Sequence, residues 1–364
     1  MDTRTTGRKR PENGRKVWID GLKGFAALTV VLGHVVSGYL EAGQFEAQKG
    51  FLTAVFNGIY AFHMPLFFVI SGFVFSLAYL DGEGTPKKDR IRIQLGNVAA
   101  VYVGWSLLLG GLKILFTRNV SNVVLPSDLL WIPLKAIGLY WYLYVLFLCY
   151  LMAAFLVGKH TIRRCYVACA AALVACLCKN LLSPFLPGYT VFLLLDYGFF
   201  FFLGVLLQRD PRALAGIGKP VGFLSFGVAG IGMAVFFLAG EDGARNWGSI
   251  DFWGAIMALS LSLSVLGLAR WCDGKGVAGA LAPIGRYSLE IFLLQTFVIA
   301  ANRTFLPMVG ITDFAVSLCT SFVTAVAVPI LLSILTKKLR VHDLLFCPAT
   351  WLARRKGRVT SSGV

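Results

Sequence analysis

Charged residues are scarce in this chain. Only 14% of its 364 residues are charged, whereas 57% are hydrophobic, and the mean hydropathy is +0.74. Soluble globular domains carry about 25% charged residues, so the composition excludes that class. We therefore interpret the chain as an all-α, polytopic integral membrane protein of the cell membrane, such as a bacterial inner or cytoplasmic membrane.

Long polar stretches are missing between the hydrophobic segments, so the sequence predicts no second soluble domain. A helix needs about 20 apolar residues to cross the roughly 30 Å hydrocarbon core of a bilayer. The first such segment is too long and too polar for a signal peptide, and we expect it to stay in the mature chain. About ten transmembrane helices are predicted, at 17–40, 58–80, 93–116, 139–157, 165–182, 189–207, 221–240, 251–269, 284–302 and 313–335.

Acidic residues are also few, with 18 Asp and Glu against 34 Lys and Arg and a net charge of +16. Most of the basic residues lie at the two ends of the chain and at alternate connections. The positive-inside rule places those sides, and hence both termini, in the cytoplasm. The excess of basic over acidic residues thus indicates membrane topology, and no nucleic-acid partner is predicted. The predicted organisation is a basic, disordered tail at 1–16, a membrane domain at 17–336 and a second basic tail at 337–364.

The eight cysteines form no recognisable framework. Four of them fall in the predicted fifth span and the others are scattered. This spacing matches neither a disulfide scaffold nor a structural metal site. No metal is therefore predicted.

Histidine occurs four times. His160 and His342 lie at cytoplasmic loop edges, where a solvated side chain is the expected state. His34 and His63 lie at similar depth in the first two spans, which predicts a polar cavity between neighbouring helices. Imidazole titrates near neutral pH, so His34 could accept the proton of a hydroxyl nucleophile.

Lys23 lies on the same face of the first span as His34. Eleven steps of an α-helix return the side chain to within about 20° and advance it by about 16 Å. Because a charge near the bilayer centre costs about 2.5–3.5 kcal/mol on insertion scales, Lys23 should face a protein interior. Arg90 and Arg92 begin the third span. They could anchor the topology or clamp phosphate, since a guanidinium matches phosphate oxygens in pairs.

Two carboxylates fall inside predicted spans, Asp196 and Glu290. Such acids are candidate functional residues. For Glu290 an ion pair with Arg286, one helical turn earlier, competes with catalysis as the explanation. Ser71 could serve as a nucleophile, although a small packing residue is the favoured interpretation.

Five motifs together resemble the membrane-bound acyltransferase family 3, which includes sugar O-acetyltransferases of the fucose 4-O-acetylase type. They are WIDGLKGFAALTVVLGHV, FHMPLFFVISGFVF, DRIR, YWYLYVLF and IGRYSLEIFLLQ. The family marks its first helix with a basic residue and a histidine separated by ten residues, which Lys23 and His34 match. Two positions depart from the pattern: Lys23 replaces the usual arginine, and Gln295 stands where many members have histidine.

The resemblance, which covers residues 17–336, implies an O-acyltransferase that uses acyl-CoA, most often acetyl-CoA, from the cytoplasm. The implied acceptor is a hydroxyl of a cell-surface or lipid-linked saccharide, next to membrane lipid. Lys23, Arg90 and Arg92 would hold the nucleotide phosphates of the donor. The predicted catalytic residues are His34, His63 and Glu290.

Two other functions remain open from the sequence. A proton-coupled transporter would also need buried charges, but the sequence shows no internal repeat and this function leaves the spacing of Lys23 and His34 unexplained. Acylation of a small molecule from the cytoplasmic side fits the same motifs. Direct transfer and an acyl-enzyme intermediate are equally compatible with these residues.

Overall fold

The computed structural model of the chain describes residues 17–115, 124–157, 161–182, 189–217, 252–273 and 276–357, with a few single positions between 185 and 230. Within these ranges the chain is helical and contains no β-strand, apart from one isolated bridge between Leu80 and Pro86. The prediction of an all-α protein is confirmed.

Fifteen α-helices are described, and short 3₁₀ turns precede two of them. They are α1 Val17–Glu41, α2 Lys49–Tyr60, α3 His63–Tyr79, α4 Lys88–Leu115, α5 Trp141–Leu156, α6 Thr161–Leu177, α7 Lys179–Leu182, α8 Tyr189–Arg209, α9 Pro211–Gly216, α10 Phe252–Trp271, α11 Val277–Gly285, α12 Ser288–Met308, α13 Phe314–Lys338, α14 His342–Phe346 and α15 Pro348–Arg355. The 3₁₀ turns are Glu46–Gln48 before α2, Gly138–Tyr140 before α5 and, in the α4–α5 connection, Pro126–Trp131.

Eight helical stretches among the described residues are long and apolar enough to cross a membrane. This agrees with the prediction of a polytopic membrane protein. Helix α6, which matches the predicted fifth span, has 17 residues and covers about 25 Å at 1.5 Å per residue. The predicted span 221–240 lies outside the described residues except for a few single positions.

Helix α2 differs from the sequence prediction, which left residues 49–57 outside any span and assigned residues 58–60 to the second span. Its 12 residues are too few to span a bilayer by themselves, and hydropathy alone therefore does not reveal them. Leu52 and Ile59 are nevertheless buried, and only Ala61 and Phe62 separate α2 from α3. The helix brings Tyr60 over α1, where a β-carbon at Gly33 would lie 3.3 Å from the Tyr60 ring.

Helix α1 is the central helix of the fold, and small residues let its neighbour α11 approach closely. A β-carbon at Gly24 would lie 2.3 Å from the Leu281 carbonyl oxygen, and one at Gly285 would lie 1.8 Å from the Asp20 carbonyl oxygen. In lipid, where apolar burial drives association weakly, such backbone contact is a main source of helix packing. The contact fixes the position of α1, and therefore of Lys23 and His34, in the bundle.

Helices α3 and α8 cross at a second pair of glycines. A β-carbon at Gly72 would lie 1.9 Å from the Phe201 carbonyl oxygen, and one at Gly204 would lie 2.0 Å from the Val69 carbonyl oxygen. The atoms in the way belong to the backbone, so a larger residue forces the helices apart.

We predict that Gly72→Ala destabilises the protein by about 1–3 kcal/mol, the usual effect of overpacking. The matched control is Gly104→Ala on α4. Among the described residues, apart from the adjoining backbone of α4 itself, no atom lies within 4 Å of the added carbon, and alanine favours the helix. Thermal unfolding of both purified variants measures the effect. Equal unfolding midpoints for Gly72→Ala and the control would show that the helices do not meet at Gly72.

Asp196, a predicted functional candidate, is half of a buried ion pair. Its carboxylate accepts from the Lys179 ammonium, and the two side chains are 0% and 3% exposed. The same ammonium lies 5.2 Å from the centroid of the Phe192 ring. These contacts give Asp196 a structural role at the α7–α8 packing, since removing one partner of a buried pair leaves an uncompensated charge.

The segment after α13, predicted as part of a basic tail, contains the helices α14 and α15, which pack against α4. Asn97 Nδ2 donates to Thr350 Oγ1 at 2.8 Å, and the Thr350 backbone N–H donates to Asn97 Oδ1 at 3.0 Å. Trp105 Nε1 donates to the Leu345 carbonyl oxygen at 3.2 Å. The C-terminal segment therefore forms one wall of the space between the helices.

Candidate active site

A cavity of about 250 Å³ lies between α1, α3, α4, α5, α12 and the C-terminal segment. Most of its lining side chains are apolar, and Lys23 contributes a positive charge. The Lys23 ammonium lies 3.9 Å from Asp20 Oδ1, and its side chain is 25% exposed. Phe346 and Cys347 complete the wall from the C-terminal side. The charge that the sequence places inside the first span thus faces a protein cavity.

A pair of hydroxyl groups forms a polar patch in this wall. Ser71 Oγ and Tyr142 Oη lie 2.7 Å apart. Tyr142 packs edge-to-face against Phe68 and Phe292, with ring centroids 5.0 and 5.3 Å away. Since the Ser71 hydroxyl is hydrogen-bonded within a rigid aromatic cluster, its contacts agree with the structural interpretation of this residue.

His34 and His63, expected at similar depth, are neighbours. Their ring centroids are 6.5 Å apart and the rings are nearly perpendicular. His63, 2% exposed, donates from Nδ1 to the Ile59 carbonyl oxygen at 2.9 Å, because a carbonyl can only accept. In the neutral ring its Nε2 is then an acceptor. His34 is half-buried, and its Nδ1 lies 3.4 Å from the Tyr60 hydroxyl.

The cavity and the histidine pair lie along the same helix faces. Phe67 lines the cavity and follows His63 by four residues, which places both on one side of α3. Lys23 lines the cavity and shares a face of α1 with His34, about 16 Å further along the axis. The two histidines therefore lie further along the same helix faces, toward the side that the charge pattern predicts to face outward.

The two arginines at the start of α4 differ in their relation to the cavity. Gln94 and Asn97 line it, and Arg90 lies on the same face, one turn closer to the cytoplasm. Arg92 lies about 160° around the helix from Gln94, and its guanidinium is 3.9 Å from Asp89 Oδ1. Both arginine side chains are exposed. Only Arg90 is in register with the cavity mouth.

Glu290 is separated from the histidine pair and belongs to a cluster at the cytoplasmic ends of α12 and α13. Its Oε1 accepts from Ser333 Oγ at 3.0 Å and from His342 Nε2 at 3.0 Å, and the Lys337 ammonium lies 3.9 Å away. The ion-pair partners of Glu290 among the described residues are thus His342 and Lys337, and Arg286 is exposed. The expectation that His342 is simply solvated is wrong, because its side chain is 14% exposed and contacts Glu290.

Cys347 lines the cavity but is poorly suited to carry an acyl group. Burial raises the pKa of its thiol to about 11, and the nearby carboxylates of Asp343 and Glu290 add to the rise. At neutral pH the thiol is therefore protonated, whereas the thiolate is the nucleophilic form. No thioester on this cysteine is expected.

A sequence model of the acyltransferase domain family matches residues 16–335, which include every residue of the cavity wall except those of the C-terminal segment. The chain belongs to this acyltransferase family. Curated relatives include the Nodulation protein NolL of Sinorhizobium fredii (strain NBRC 101917 / NGR234), 28% identical over 202 residues that make up 54% of this chain and 50% of the relative.

The Nodulation protein NolL of Mesorhizobium japonicum (strain LMG 29417 / CECT 9101 / MAFF 303099) is 27% identical over 168 residues, 45% of this chain and 42% of that protein. The matched part thus spans about half or less of the length of these relatives. No solved structure matches the chain significantly. The family assignment confirms the resemblance read from the motifs.

Sequence reasoning missed Tyr60, which lies inside the matched region, and misjudged His342, which lies beyond it. Tyr60 and His63 both fall in the predicted span 58–80, and their three-residue spacing places both on one side of a continuous helix. This spacing could have identified Tyr60, although the structure divides the span at Ala61 and Phe62. His342 lies beyond the last span, where hydropathy gives no indication of burial. In the structure the two residues lie on short helices, α2 of 12 residues and α14 of 5 residues.

Proposed function

We propose that this membrane protein transfers an acyl group, specifically acetyl, from acyl-CoA to a hydroxyl of a cell-surface or lipid-linked saccharide. The observation that carries the proposal is the position of His34 and His63 at the outer end of helix faces that also line a cavity with a cationic inner part. A base and a charge on one helix, separated by about 16 Å, match a donor with phosphates at one end and a reactive thioester at the other.

The donor would enter from the cytoplasmic side. Lys23 and Arg90 would contact its phosphates, and the pantetheine arm would occupy the apolar cavity. Arg92 would approach the phosphates only from outside the cavity mouth, because it lies on another face of α4. Arginine suits this role because its guanidinium donates to two oxygens at once and stays charged.

The reaction would need one proton transfer. With Nδ1–H of His34 donating to the Tyr60 oxygen, Nε2 accepts the proton of the acceptor hydroxyl as that oxygen attacks the thioester carbonyl carbon. A carbon–oxygen bond forms, the carbon–sulfur bond breaks, and His34 returns the proton to the departing CoA thiolate. His63 would orient the acceptor beside His34. Glu290, whose contacts are with Ser333 and His342, would act by holding the C-terminal segment against the cavity.

We predict that Arg90→Lys weakens acyl-CoA binding roughly tenfold, because a bidentate hydrogen bond to a charged group is worth about 1.5–3 kcal/mol. Arg92→Lys should have a smaller effect, and the double variant should bind acyl-CoA most weakly. All three keep the positive charge and hence the topology. Equilibrium binding of acyl-CoA to purified protein measures this, with Arg212→Lys on the exposed helix α9 as the control. A double variant that binds as tightly as wild type would contradict the donor site.

The acceptor is tested in cells. Deleting the gene should remove a base-labile O-acyl group from a surface or lipid-linked glycan, and wild-type protein should restore it. Mass spectrometry of the isolated glycan with and without mild alkali detects the change. A deletion strain whose glycans keep every O-acyl group would exclude the glycan acceptor.

Release of free CoA thiol by the purified protein would separate an acyltransferase from a transporter, which leaves the thioester intact.

A further inference from the structure

Gln295 is a buried amide without a protein partner. Its side chain is 0% exposed, and neither Nε2 nor Oε1 has a hydrogen-bond partner among the residues that the structure describes. Buried polar groups are almost always paired, and in a membrane domain they have no lipid partner. An amide in this state is suited to binding a ligand group.

The neighbouring helices α1 and α12 fix the depth of Gln295. Both begin on the side assigned to the cytoplasm and run outward. On the inner side, Val31 of α1 and Ile291 of α12 belong to one hydrophobic cluster. On the outer side, a β-carbon at Gly38 would lie 3.4 Å from the Ile299 methyl group. The α12 residues four positions before and four positions after Gln295, Ile291 and Ile299, thus belong to the cluster of α1 or contact it.

Gln295 and His34 lie between these two contact points. Gln295 precedes Ile299 by four residues and His34 precedes Gly38 by four. Because α1 and α12 run in the same direction, the two residues lie at the same depth. Gln295 also lies within about 20° of the cavity-lining Ser288, some 10 Å further outward on α12. The helix face along which the donor would enter therefore leads to the Gln295 amide, opposite His34.

We infer that Gln295 is a further catalytic residue, whose Nε2–H donates a hydrogen bond to the thioester carbonyl oxygen while His34 takes the acceptor's proton. The inference rests on the proposed function. As the acceptor oxygen bonds to the carbonyl carbon, the carbonyl oxygen gains negative charge. The charge returns to carbon when the carbon–sulfur bond breaks. A fixed donor in a site shielded from water stabilises that charge strongly, and removing one such donor typically reduces kcat by about 10²–10³-fold.

The test compares Gln295→Leu, Gln295→Glu and a control on the same helix. Asn302→Leu is the control, because the Asn302 amide donates to Thr324 Oγ1 at 2.6 Å within the protein, and that hydroxyl also donates to the Thr320 carbonyl oxygen. We expect Gln295→Leu to lower kcat about 100-fold with little change in the KM of either substrate. An ionised Glu offers no donor and should be equally slow. Asn302→Leu should keep wild-type kcat.

Thermal unfolding distinguishes a catalytic role of Gln295 from a structural one, because only a structural role predicts a lower unfolding midpoint in the variant. Replacing an unpaired buried amide by leucine should leave the unfolding midpoint unchanged or raise it, so a stable but slow Gln295→Leu enzyme supports the inference. A Gln295→Leu enzyme with wild-type kcat overturns it, as does one in which only the acceptor KM rises or in which lost stability accounts for the lost activity. A wild-type protein that transfers no acyl group overturns the proposed function and this inference together.

Discussion

The His34→Gln variant is expected to lose about 10²–10⁴-fold in kcat, the usual contribution of a general base. Glutamine can hydrogen-bond but cannot accept the hydroxyl proton near neutral pH. His34 is half-buried, and its described polar contact is one long hydrogen bond to Tyr60 at 3.4 Å, so the protein should fold and insert normally. Steady-state acyl transfer by the purified variant measures the loss.

His63→Gln is the matched comparison for His34→Gln. The amide of glutamine could still donate to the Ile59 carbonyl oxygen, which accepts from His63 at 2.9 Å. The variant should therefore be milder if His63 only orients the acceptor. A His34→Gln enzyme with wild-type kcat would rule out His34 as the base, and a His63→Gln enzyme that is equally inactive would make the two residues a functional unit.

Lys23→Met should reduce kcat/KM for acyl-CoA by about 10–100-fold, because a hydrogen bond between charged groups contributes about 1.5–3 kcal/mol. Methionine keeps the length and the packing of the aliphatic part. Lys23→Arg should remain active, since it preserves the charge and adds the paired donors of a guanidinium. Initial rates over a range of acyl-CoA concentrations measure both variants.

Loss of Lys23 also leaves the buried Asp20, 4% exposed, without the nearby ammonium at 3.9 Å. The double variant Lys23→Met/Asp20→Asn removes both charges and should recover folding without recovering donor binding. Lys49→Met is the control. Lys49 is exposed and does not line the cavity, and its ammonium lies 2.8 Å from Glu46 Oε1. Unchanged kcat/KM in Lys23→Met would show that Lys23 serves only the packing of α1.

The sequence predicts most of the fold because a chain in lipid must satisfy its backbone within each helix. Length and hydropathy therefore identify segments such as Val17–Glu41 and Phe314–Lys338 to within three residues at each end. They do not identify α2, α14 and α15, which have 12, 5 and 8 residues. These helices are held by packing against longer neighbours, which a local pattern does not encode.

The positions of site residues are predictable from the sequence where those residues lie on the same helix. Helical spacing alone places Lys23 and His34 on one face, and it also separates Arg90, in line with Gln94, from Arg92. The depth that Gln295 shares with His34 depends on the axial position of α12 relative to α1, which is set by contacts such as Gly38 with Ile299. The residue pattern of α1 or of α12 taken alone does not predict the axial position of one helix relative to the other.

The most direct test is acyl transfer by purified protein reconstituted into vesicles of known orientation, with labelled acetyl-CoA supplied to one face and a saccharide acceptor present. When the donor reaches the face that carries Lys23 and Arg90, we predict base-labile label on the saccharide and release of an equal amount of CoA thiol. The His34→Gln variant should transfer no label. Label that appears equally with His34→Gln, or a substrate that crosses the vesicle while the thioester stays intact, would contradict the account.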